Sequence, residues 1–198
     1  MVMKLVFATH NKNKIDEVRA LLPARISLLS LTDIGCNEDI PETGKTLEEN
    51  AIIKANYVTH NFGYPCFADD TGLIVKALKG APGVYSARYA GKKGDANANM
   101  DKLLNELKLA KDRKAKFETL IALNLNNEQH IFKGTIEGRI INEKRGEKGF
   151  GYDPIFIPKG YSKTFAELPL SIKNKIGHRG MAIQKLITYL NNPVHDKE

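Results

Sequence analysis

Alternating apolar and polar stretches in the first third of the chain predict short strands separated by helices. Residues 4–8 and 27–31 are short apolar runs of the kind found in buried strands. Residues 11–22, between these runs, carry apolar side chains at helical spacing and end before a proline. Residues 46–62 repeat the helical spacing and begin with the signature of a capping box. This order of elements predicts βα units.

The rest of the chain mixes both kinds of pattern. Residues 65–68 predict a short strand that runs into two acidic residues at a turn, and residues 73–78 predict another strand. Residues 80–93 and 149–160 contain several glycines and are predicted loops. Residues 97–107 and 178–191 are predicted helices. Residues 117–125 and 130–141 are predicted to form a pair of antiparallel strands. Together the patterns predict an α/β fold with a mixed sheet.

Composition narrows the class of protein. The 198 residues, 42% hydrophobic and 27% charged, suit one domain, and no long linker divides the chain, so residues 1–198 are predicted to form a single domain. The apolar runs are too short to cross a bilayer, and the first residues lack the features of a signal peptide. Cys36 and Cys66 are isolated thiols, which suits a reducing cytoplasm. We therefore expect a cytoplasmic protein with no membrane partner.

The net charge of +7 favours polyanionic partners without selecting among them. A basic nucleic-acid-binding module is one alternative. The basic segment 108–116 has no interleaved aromatic residues of the kind that bind single strands. Such a module would also have no use for the acidic pair described next, so no stable nucleic-acid partner is expected.

The acidic pair is Asp69 and Asp70, at the end of the strand predicted for residues 65–68. Shielding ionised carboxylates from water is unfavourable unless cations or hydrogen bonds compensate them. Mg²⁺ is commonly held by one or two carboxylates together with substrate phosphates, and Glu42 lies in a loop that could reach the same ion. The alternative is a simple turn, because Asp and Gly are common turn residues.

A junction between the first strand and helix could bind phosphate. Thr9 and Asn11 can donate hydrogen bonds there, the helix dipole favours anions, and Lys14 adds a positive charge one turn later. Asn11 could instead only cap the helix. Lys54 lies beside the apolar stripe of the second helix, where it either reaches solvent or points into a cleft.

Two later segments could contact a nucleobase. In the segment Gly149-Phe150-Gly151-Tyr152-Asp153-Pro154, glycines permit close backbone approach, and Phe150 or Tyr152 offers a stacking face. A structural loop with buried aromatics is the alternative. Lys173 precedes His178 and Arg179, which stand at a helix start where the dipole disfavours them. An anion or a base carbonyl would explain their position.

Taken together and in this order, the segments resemble the inosine triphosphate pyrophosphatase family, the non-canonical purine nucleoside triphosphate pyrophosphatases or XTP/dITP diphosphatases. The motifs are Thr-His-Asn-x-x-Lys, Pro-Glu-Thr-Gly-x-Thr-x-x-Glu-Asn-Ala, Ala-Asp-Asp-Thr-Gly-Leu, Gly-x-Tyr-Ser-Ala-Arg-Tyr, Gly-Phe-Gly-Tyr-Asp-Pro and Ser-x-Lys-x-x-x-x-His-Arg-Gly. The resemblance implies an elongated two-lobed α/β fold, with a long curved mixed sheet flanked by helices and a nucleotide cleft between the lobes. It also implies a homodimer that hydrolyses ITP, dITP and XTP to the monophosphate and pyrophosphate with Mg²⁺.

The resemblance assigns roles to individual residues. Phosphate-binding positions are matched by Thr9, Asn11, Lys14 and Lys54, with His10 where many members carry Gly or Asn. Glu42 and Asp70 match metal-binding positions, Asp70 also matches the proposed general base, and Asp69 is either a further ligand or a local hydrogen-bond acceptor. Thr71 matches a substrate contact. Base recognition is implied for Phe150, Gly151, Tyr152, Asp153, Lys173, His178 and Arg179. A related pyrophosphatase for modified pyrimidine nucleotides is the second enzymatic alternative.

Overall fold

A computed structural model describes residues 2–91 and 94–191. Within these residues, seven strands form one sheet: β1 Met3–Phe7, β2 Ile26–Leu29, β3 Cys66–Val75, β4 Pro82–Gly83, β5 Lys114–Leu125, β6 Glu128–Ile140 and β7 Phe156–Pro158. The helices are α1 Lys12–Arg19, α2 Leu47–Phe62, α3 Ala96–Glu106, α4 Leu170–Ile176 and α5 His178–Leu190. The predicted α/β class is confirmed.

The sheet is mixed. Its strand order is β2-β1-β3-β5-β6-β7, with β4 paired to β3. β1 pairs in parallel with both β2 and β3, whereas β3 with β4 and β6 with β7 are antiparallel. Parallel neighbours need crossover connections, and α1 and α2 provide them. The early βα units and the later antiparallel strands thus follow the sequence prediction.

The chain divides into two compact units. Among the described residues, unit 1 comprises 2–70, 119–134 and 179–191, and unit 2 comprises 71–91, 94–118 and 135–178. The prediction that residues 1–198 form a single domain stays a prediction. Within the described part of the chain, no helix has both the length and the apolar character needed to cross a membrane.

In unit 1, β1 is buried on both faces. Leu5 and Phe7 pack in one apolar cluster with α5, and Phe7 stacks on Phe67 of β3 with ring centroids 4.6 Å apart. Val6 lies on the opposite side, in a second cluster with Ala51 and Ala55 of α2. Because successive side chains of a strand point to opposite faces, the continuous apolar run of β1 fits a strand covered on both sides.

In unit 2, aromatic side chains dominate the core. Phe117 of β5 meets Phe156 of β7 edge-on at 4.7 Å, and Phe165 packs against both rings. Leu103 and Leu107, in and just after α3, complete the same buried cluster. Tyr152, in the loop 149–153, and Ile155, just after it, belong to the same cluster.

Several predicted elements are confirmed closely. α2 begins after Thr46, whose Oγ1 accepts a hydrogen bond from the backbone N–H of Glu49 at 3.1 Å, and it ends at Gly63 with a φ of 71°. α5 begins at His178, as predicted. The two predicted antiparallel strands become neighbours β5 and β6, joined by Asn126 and Asn127 with φ of 51° and 61°.

Other predictions are wrong. The acidic pair does not sit at a turn between two strands, because β3 runs unbroken from Cys66 to Val75 through Asp69, Asp70 and Gly72. Side-chain partners for both acids, described below, override the local turn preference of Asp and Gly. The predicted loop 149–160 contains a 3-10 turn at Asp153–Ile155 and strand β7, and helix α4 was not predicted. In the predicted loop 80–93, residues 92 and 93 lie outside the described part.

Candidate functional site

The two acids of β3 have different surroundings within unit 1. Both are buried, with Asp69 1% and Asp70 8% exposed. Since neighbouring residues of a strand project to opposite faces, each carboxylate meets its own set of partners. We call Lys14, Glu17, Asp69 and Arg179 the Asp69 group, and Glu42, Asn50, Lys54 and Asp70 the Asp70 group.

The Asp69 group is a chain of buried ion pairs. Lys14 Nζ donates to Asp69 Oδ1 at 2.7 Å, and Arg179 Nε donates to Asp69 Oδ2 at 3.0 Å. Arg179 Nη1 also donates to Glu17 Oε2 at 2.5 Å. The arginine at the start of α5 therefore connects β3 to α1, and both oxygens of Asp69 accept hydrogen bonds from cations.

These pairs hold Asp69 ionised. Burial by itself would raise the pKa of Asp69, but Lys14, Arg179 and Lys54 together lower it well below its ordinary value. Burial also opposes the charge of Arg179, yet Asp69 and Glu17 raise the pKa of Arg179. For Lys14 the balance differs, because burial outweighs the attraction of Asp69 and lowers the pKa of the ammonium.

The Asp70 group joins a loop, a helix and the strand. Asn50, fully buried on α2, donates from Nδ2 to Asp70 Oδ2 at 3.1 Å, and its Oδ1 accepts from the backbone N–H of Gly44 at 2.8 Å. Lys54, one turn along α2, donates to Glu42 Oε1 at 2.8 Å, and its ammonium lies 3.9 Å from Asp70 Oδ1. Two carboxylates from different segments thus share one ammonium.

The contact between Lys54 and the carboxylates affects the pKa of Asp70 and the pKa of Lys54. Burial and the charge of Glu42 raise the pKa of Asp70, although Lys54, Lys14 and the Asn50 hydrogen bond oppose the rise. Burial would lower the pKa of Lys54, but the summed attraction of Asp70, Glu42 and Asp69 raises it. Asp70 is therefore a carboxylate that its surroundings make more basic than its neighbour.

The predicted phosphate-binding segment lies between β1 and α1. Asn11 is the N-cap of α1, and its Oδ1 accepts from the backbone N–H of Lys14 at 3.2 Å. Thr9 Oγ1 accepts from the backbone N–H of Asn11 at 3.1 Å, while the exposed His10 ring lies 3.1 Å from the carbonyl of Glu38. Asn11 therefore caps α1. Phosphate binding by this segment stays a prediction.

Chemistry of the donor set fits a divalent cation. Among the described residues, no three His, Cys, Asp or Glu side chains are grouped so that they could hold a metal by themselves. Mg²⁺ does not need such a set, since it keeps waters and takes one or two carboxylates with substrate phosphates. Glu42 and Asp70, close enough for the charge of one to raise the pKa of the other, fit that pattern.

Unit 2 holds most of the predicted base-recognition residues. Asp153, 2% exposed, accepts at Oδ2 from the backbone N–H of Phe150 at 2.9 Å and from Lys173 Nζ at 2.5 Å. The ammonium of Lys173 also lies 4.7 Å from the centre of the Phe150 ring. Gly149 has a φ of 75°, and a Cβ there would stand 2.1 Å from Asp153 Oδ2, so this turn requires glycine.

The two aromatic residues of this loop differ. Phe150 is half-buried, whereas Tyr152 is 4% exposed and donates from its hydroxyl to the carbonyl of Ser86 at 2.9 Å. Of the two stacking faces considered from the sequence, Phe150 is the more accessible. Gly151, between them, has a φ of 65°. The buried ring of His178 stacks on Phe117, with centroids 4.6 Å apart.

The residues predicted to recognise the base are distributed over both units. Arg179 belongs to the Asp69 group of unit 1, while Lys173, Phe150, Tyr152 and Asp153 are together in unit 2. Thr71 is half-buried directly after Asp70. The roles of these residues toward a substrate stay predictions.

Sequence reasoning gave no role to three residues that complete these groups. Glu17 and Asn50 bind the predicted site residues directly, and Ser86 accepts from Tyr152. Glu17 stands three residues after Lys14 in α1, a helical neighbour spacing that could have pointed to it. Asn50 and Ser86 lie inside the motifs that carried the resemblance, but no local signal shows what their side chains bind.

Comparisons with known proteins agree over nearly the whole chain. A model of the Ham1 family matches residues 5–189. The dITP/XTP pyrophosphatase of Christiangramia forsetii is 60% identical over 189 residues, covering 96% of this chain and 100% of that protein. The dITP/XTP pyrophosphatase of Bacillus subtilis is 48% identical over 191 residues, covering 94% and 96%.

Solved structures give the same answer for the fold. The Ham1 protein of Staphylococcus aureus has a TM-score of 0.86 at 41% identity, over 94% of this chain and 97% of that one. A HAM1 protein from Coxiella burnetii has a TM-score of 0.87 at 42% identity, over 96% and 98%. The expected α/β fold, with a mixed sheet flanked by helices, is therefore confirmed.

Proposed function

The chain belongs to the Ham1 family, and from that premise we propose that it hydrolyses ITP, dITP and XTP to the nucleoside monophosphate and pyrophosphate. The Asp70 group is the observation in this structure that carries the proposal. Glu42 from a loop and Asp70 from β3 share the ammonium of Lys54 from α2. Two carboxylates and one lysine so arranged form the kind of charged set that binds a metal-complexed polyphosphate. Removal of such nucleotides would keep them out of the nucleotide pool.

In the proposed reaction, water attacks the α-phosphorus of the nucleotide. A bond forms from the water oxygen to phosphorus, the bond to the bridging oxygen of the β-phosphate breaks, and pyrophosphate leaves. Asp70 accepts the proton that the water loses, a role that suits a carboxylate with a raised pKa. Lys14 and Lys54 neutralise charge on the triphosphate and on the leaving pyrophosphate.

Glu42 and Asp70 would hold Mg²⁺, which supplies charge neutralisation at the phosphate oxygens when bound. Asp69 has less to offer a metal, because Lys14 and Arg179 already bond to both of its oxygens. Of the two roles left open for Asp69 by the sequence, a local hydrogen-bond acceptor is the one that these contacts favour. Its proposed part is to place Lys14.

Base selectivity would come from the unit 2 residues. Phe150 offers a stacking face, and Lys173 beside it brings a donor that suits a purine carbonyl. A donor that meets O6 of hypoxanthine or xanthine would face the amino group of adenine and remain unpaired. The resemblance implies two further base-recognition residues, His178 of unit 2 and Arg179 of unit 1.

The proposal extends to the setting of the enzyme. We expect a cytoplasmic homodimer with a purine nucleoside triphosphate as its substrate, without a stable nucleic-acid or membrane partner. Light scattering of the purified protein tests the dimer. Duplex DNA binding that falls steeply with salt, without any triphosphate hydrolysis, would favour the nucleic-acid alternative.

One assay tests the reaction itself. Pyrophosphate release is measured for ITP, dITP, XTP, GTP, ATP and modified pyrimidine triphosphates, each with Mg²⁺ and with EDTA. We expect rapid release from the first three, only with the metal. Equal or faster release from the pyrimidine nucleotides would replace this proposal with the pyrimidine alternative, and orthophosphate as the product would contradict attack at the α-phosphorus.

A further inference from the structure

The motif Tyr85-Ser86-Ala87-Arg88-Tyr89 has no part in the function proposed so far. In unit 2 it forms a 3-10 turn at Ser86–Arg88, and Ser86 is 8% exposed. The Ser86 hydroxyl accepts from the backbone N–H of Leu73 at 2.9 Å and donates to the carbonyl of Gly83 at 2.5 Å. One side chain thereby ties the turn to β3, three residues after Asp70.

The backbone of the same serine supports the loop 149–153. Its carbonyl accepts the hydroxyl of Tyr152 at 2.9 Å, and both groups are buried. Asn99 of α3 fixes the turn from the other side, since its Oδ1 accepts from the backbone N–H of Ala90 at 2.7 Å and its Nδ2 donates to the carbonyl of Ala87 at 3.3 Å. The carbonyl that receives Tyr152 therefore belongs to a rigidly held turn.

Tyr152 sits inside the turn that presents Phe150. The backbone N–H of Asp153 donates to the carbonyl of Phe150 at 3.3 Å, and the Asp153 carboxylate accepts from the Phe150 N–H at 2.9 Å. Lys173 fixes the Asp153 end of this turn. The bond from Tyr152 to Ser86 fixes its middle, where Gly151 on its own would allow wide backbone freedom.

We propose that Ser86 and Tyr152 are positioning residues for nucleobase selectivity. Together they fix the position of the loop 149–153 relative to Leu73 of β3. Neither residue needs to touch the nucleotide. Tyr152 fixes the position of the backbone that carries Phe150, and the Ser86 hydroxyl fixes the position of the Ser86 carbonyl, which accepts the hydrogen bond from Tyr152. This inference rests on the proposed function. It assigns to Tyr152 a supporting role in place of base stacking.

Tyr152→Phe is the first test, because it keeps the ring and removes only the hydrogen bond to Ser86. We expect KM for dITP to rise about three- to ten-fold, the effect of one hydrogen bond, with kcat little changed. The ratio of kcat/KM for dITP to that for dATP should fall by a similar factor, because a loosened loop discriminates less well. Tyr161→Phe, on an exposed tyrosine of the same unit, is the matched control.

Ser86→Ala is the second test, with the exposed Ser162→Ala as its control. The variant removes the hydroxyl but leaves the carbonyl that Tyr152 uses. We therefore expect the same direction of change in KM and selectivity, and less than additive effects in the double variant, because both changes loosen one connection. If Ser86→Ala does not fold, as judged by thermal unfolding, Tyr152→Phe decides alone.

The outcomes distinguish a failure of this inference from a failure of the proposed function on which it rests. If the wild-type protein releases no pyrophosphate from ITP, dITP or XTP, the proposed function fails. If the wild type is active and Tyr152→Phe lowers the melting temperature but keeps KM and the dITP-to-dATP ratio, the connection is only structural and the inference is overturned. A loss of kcat at unchanged KM would also overturn it.

Discussion

Asp69 and Asp70 are neighbours in sequence but occupy two different electrostatic regions. In the Asp69 group two cations meet two carboxylates in close buried pairs. In the Asp70 group two carboxylates share the ammonium of Lys54, at 2.8 Å from one and 3.9 Å from the other. The pKa of Asp69 is lowered and that of Asp70 is raised.

This difference in pKa distinguishes a structural role for Asp69 from a chemical role for Asp70. A carboxylate whose pKa is held low by close cations is a permanent anion that fixes its partners in place. A carboxylate whose pKa is raised by burial and by a second acid can receive a cation or a proton. When environments push the pKa values of adjacent groups apart, their roles can be assigned. Here the assignment makes Asp69 a positioning residue and Asp70 the proposed base.

The largest expected effect is on turnover in Asp70→Asn. The variant keeps an oxygen that can accept from Asn50 but cannot take a proton from water, so we expect kcat for dITP to fall about 10²- to 10⁴-fold. Nucleotide binding, measured by calorimetry, should survive, and the melting temperature should not fall. Full activity in this variant would remove Asp70 from the chemistry and erase the contrast with Asp69.

Asp69→Asn should show the opposite profile. Removing the carboxylate leaves the buried Arg179 and the half-buried Lys14 beside a neutral amide. Breaking a buried pair, as with Arg179, costs about 3–5 kcal/mol of unfolding free energy. We expect a clear fall in the urea midpoint and a higher KM, since Lys14 loses its support. Asp16→Asn, on the exposed face of α1, is the control and should leave the urea midpoint unchanged.

If Asp69→Asn were as stable as the wild type but lost turnover, the two acids would have to exchange roles. Asp69 would then act on the metal or the water directly. The comparison therefore depends on measuring stability and turnover in both variants.

Sequence signals were sufficient where they were local. The extent of α2 followed from its apolar stripe and from its cap at Thr46, the residue directly before the helix. The motifs around Asp70 and Glu42 predicted the site residues because several family motifs occur together in the same order along the chain. These residues do lie together in unit 1. The ammonium of Lys54 lies close to Glu42, twelve residues before it in the chain, and to Asp70, sixteen residues after it.

Sequence signals failed where the partner is distant. Arg179 lies 110 residues from Asp69 and Lys14 lies 55 residues from it, so no local pattern shows that both bind this carboxylate. The prediction of a turn at the acidic pair failed for the same reason. Asp and Gly favour turns in isolation, but here the two acids are paired through contacts that only the folded chain provides, and β3 continues through them.

The pH dependence of stability should differ between the two acids. Asp69 has a lowered pKa in the folded state, so its stabilisation is present above the ordinary value of 3.8 and is lost as pH falls below it toward the folded pKa. Asp70 has a raised pKa, so its protonated form is favoured in the folded state, and ionisation as pH rises is destabilising. Urea unfolding of both Asn variants from pH 3 to 7 tests this.

Relative to the wild type, Asp69→Asn should lose less unfolding free energy on acidification, and Asp70→Asn should lose more. Parallel curves for the two variants would show that the environments do not differ as the contacts imply. The Asp16→Asn control should follow the wild type at every pH, because its partner Arg19 is an exposed residue 4.0 Å away.

The smallest expected effect tests how the Asp70 group is held. A Cβ at Gly44 would stand 2.7 Å from Asn50 Oδ1 and 2.9 Å from the backbone nitrogen of Asn50, so Gly44→Ala must displace the amide that supports Asp70. We expect a loss of about 1 kcal/mol in stability, as for mild overpacking, and a fall in kcat of a few-fold. The neighbouring exposed Lys45→Ala should change neither quantity. If Gly44→Ala lowers stability and leaves kcat intact, Asn50 holds the loop but does not set the orientation of Asp70, and the Asp70 group is less tightly specified than the Asp69 group.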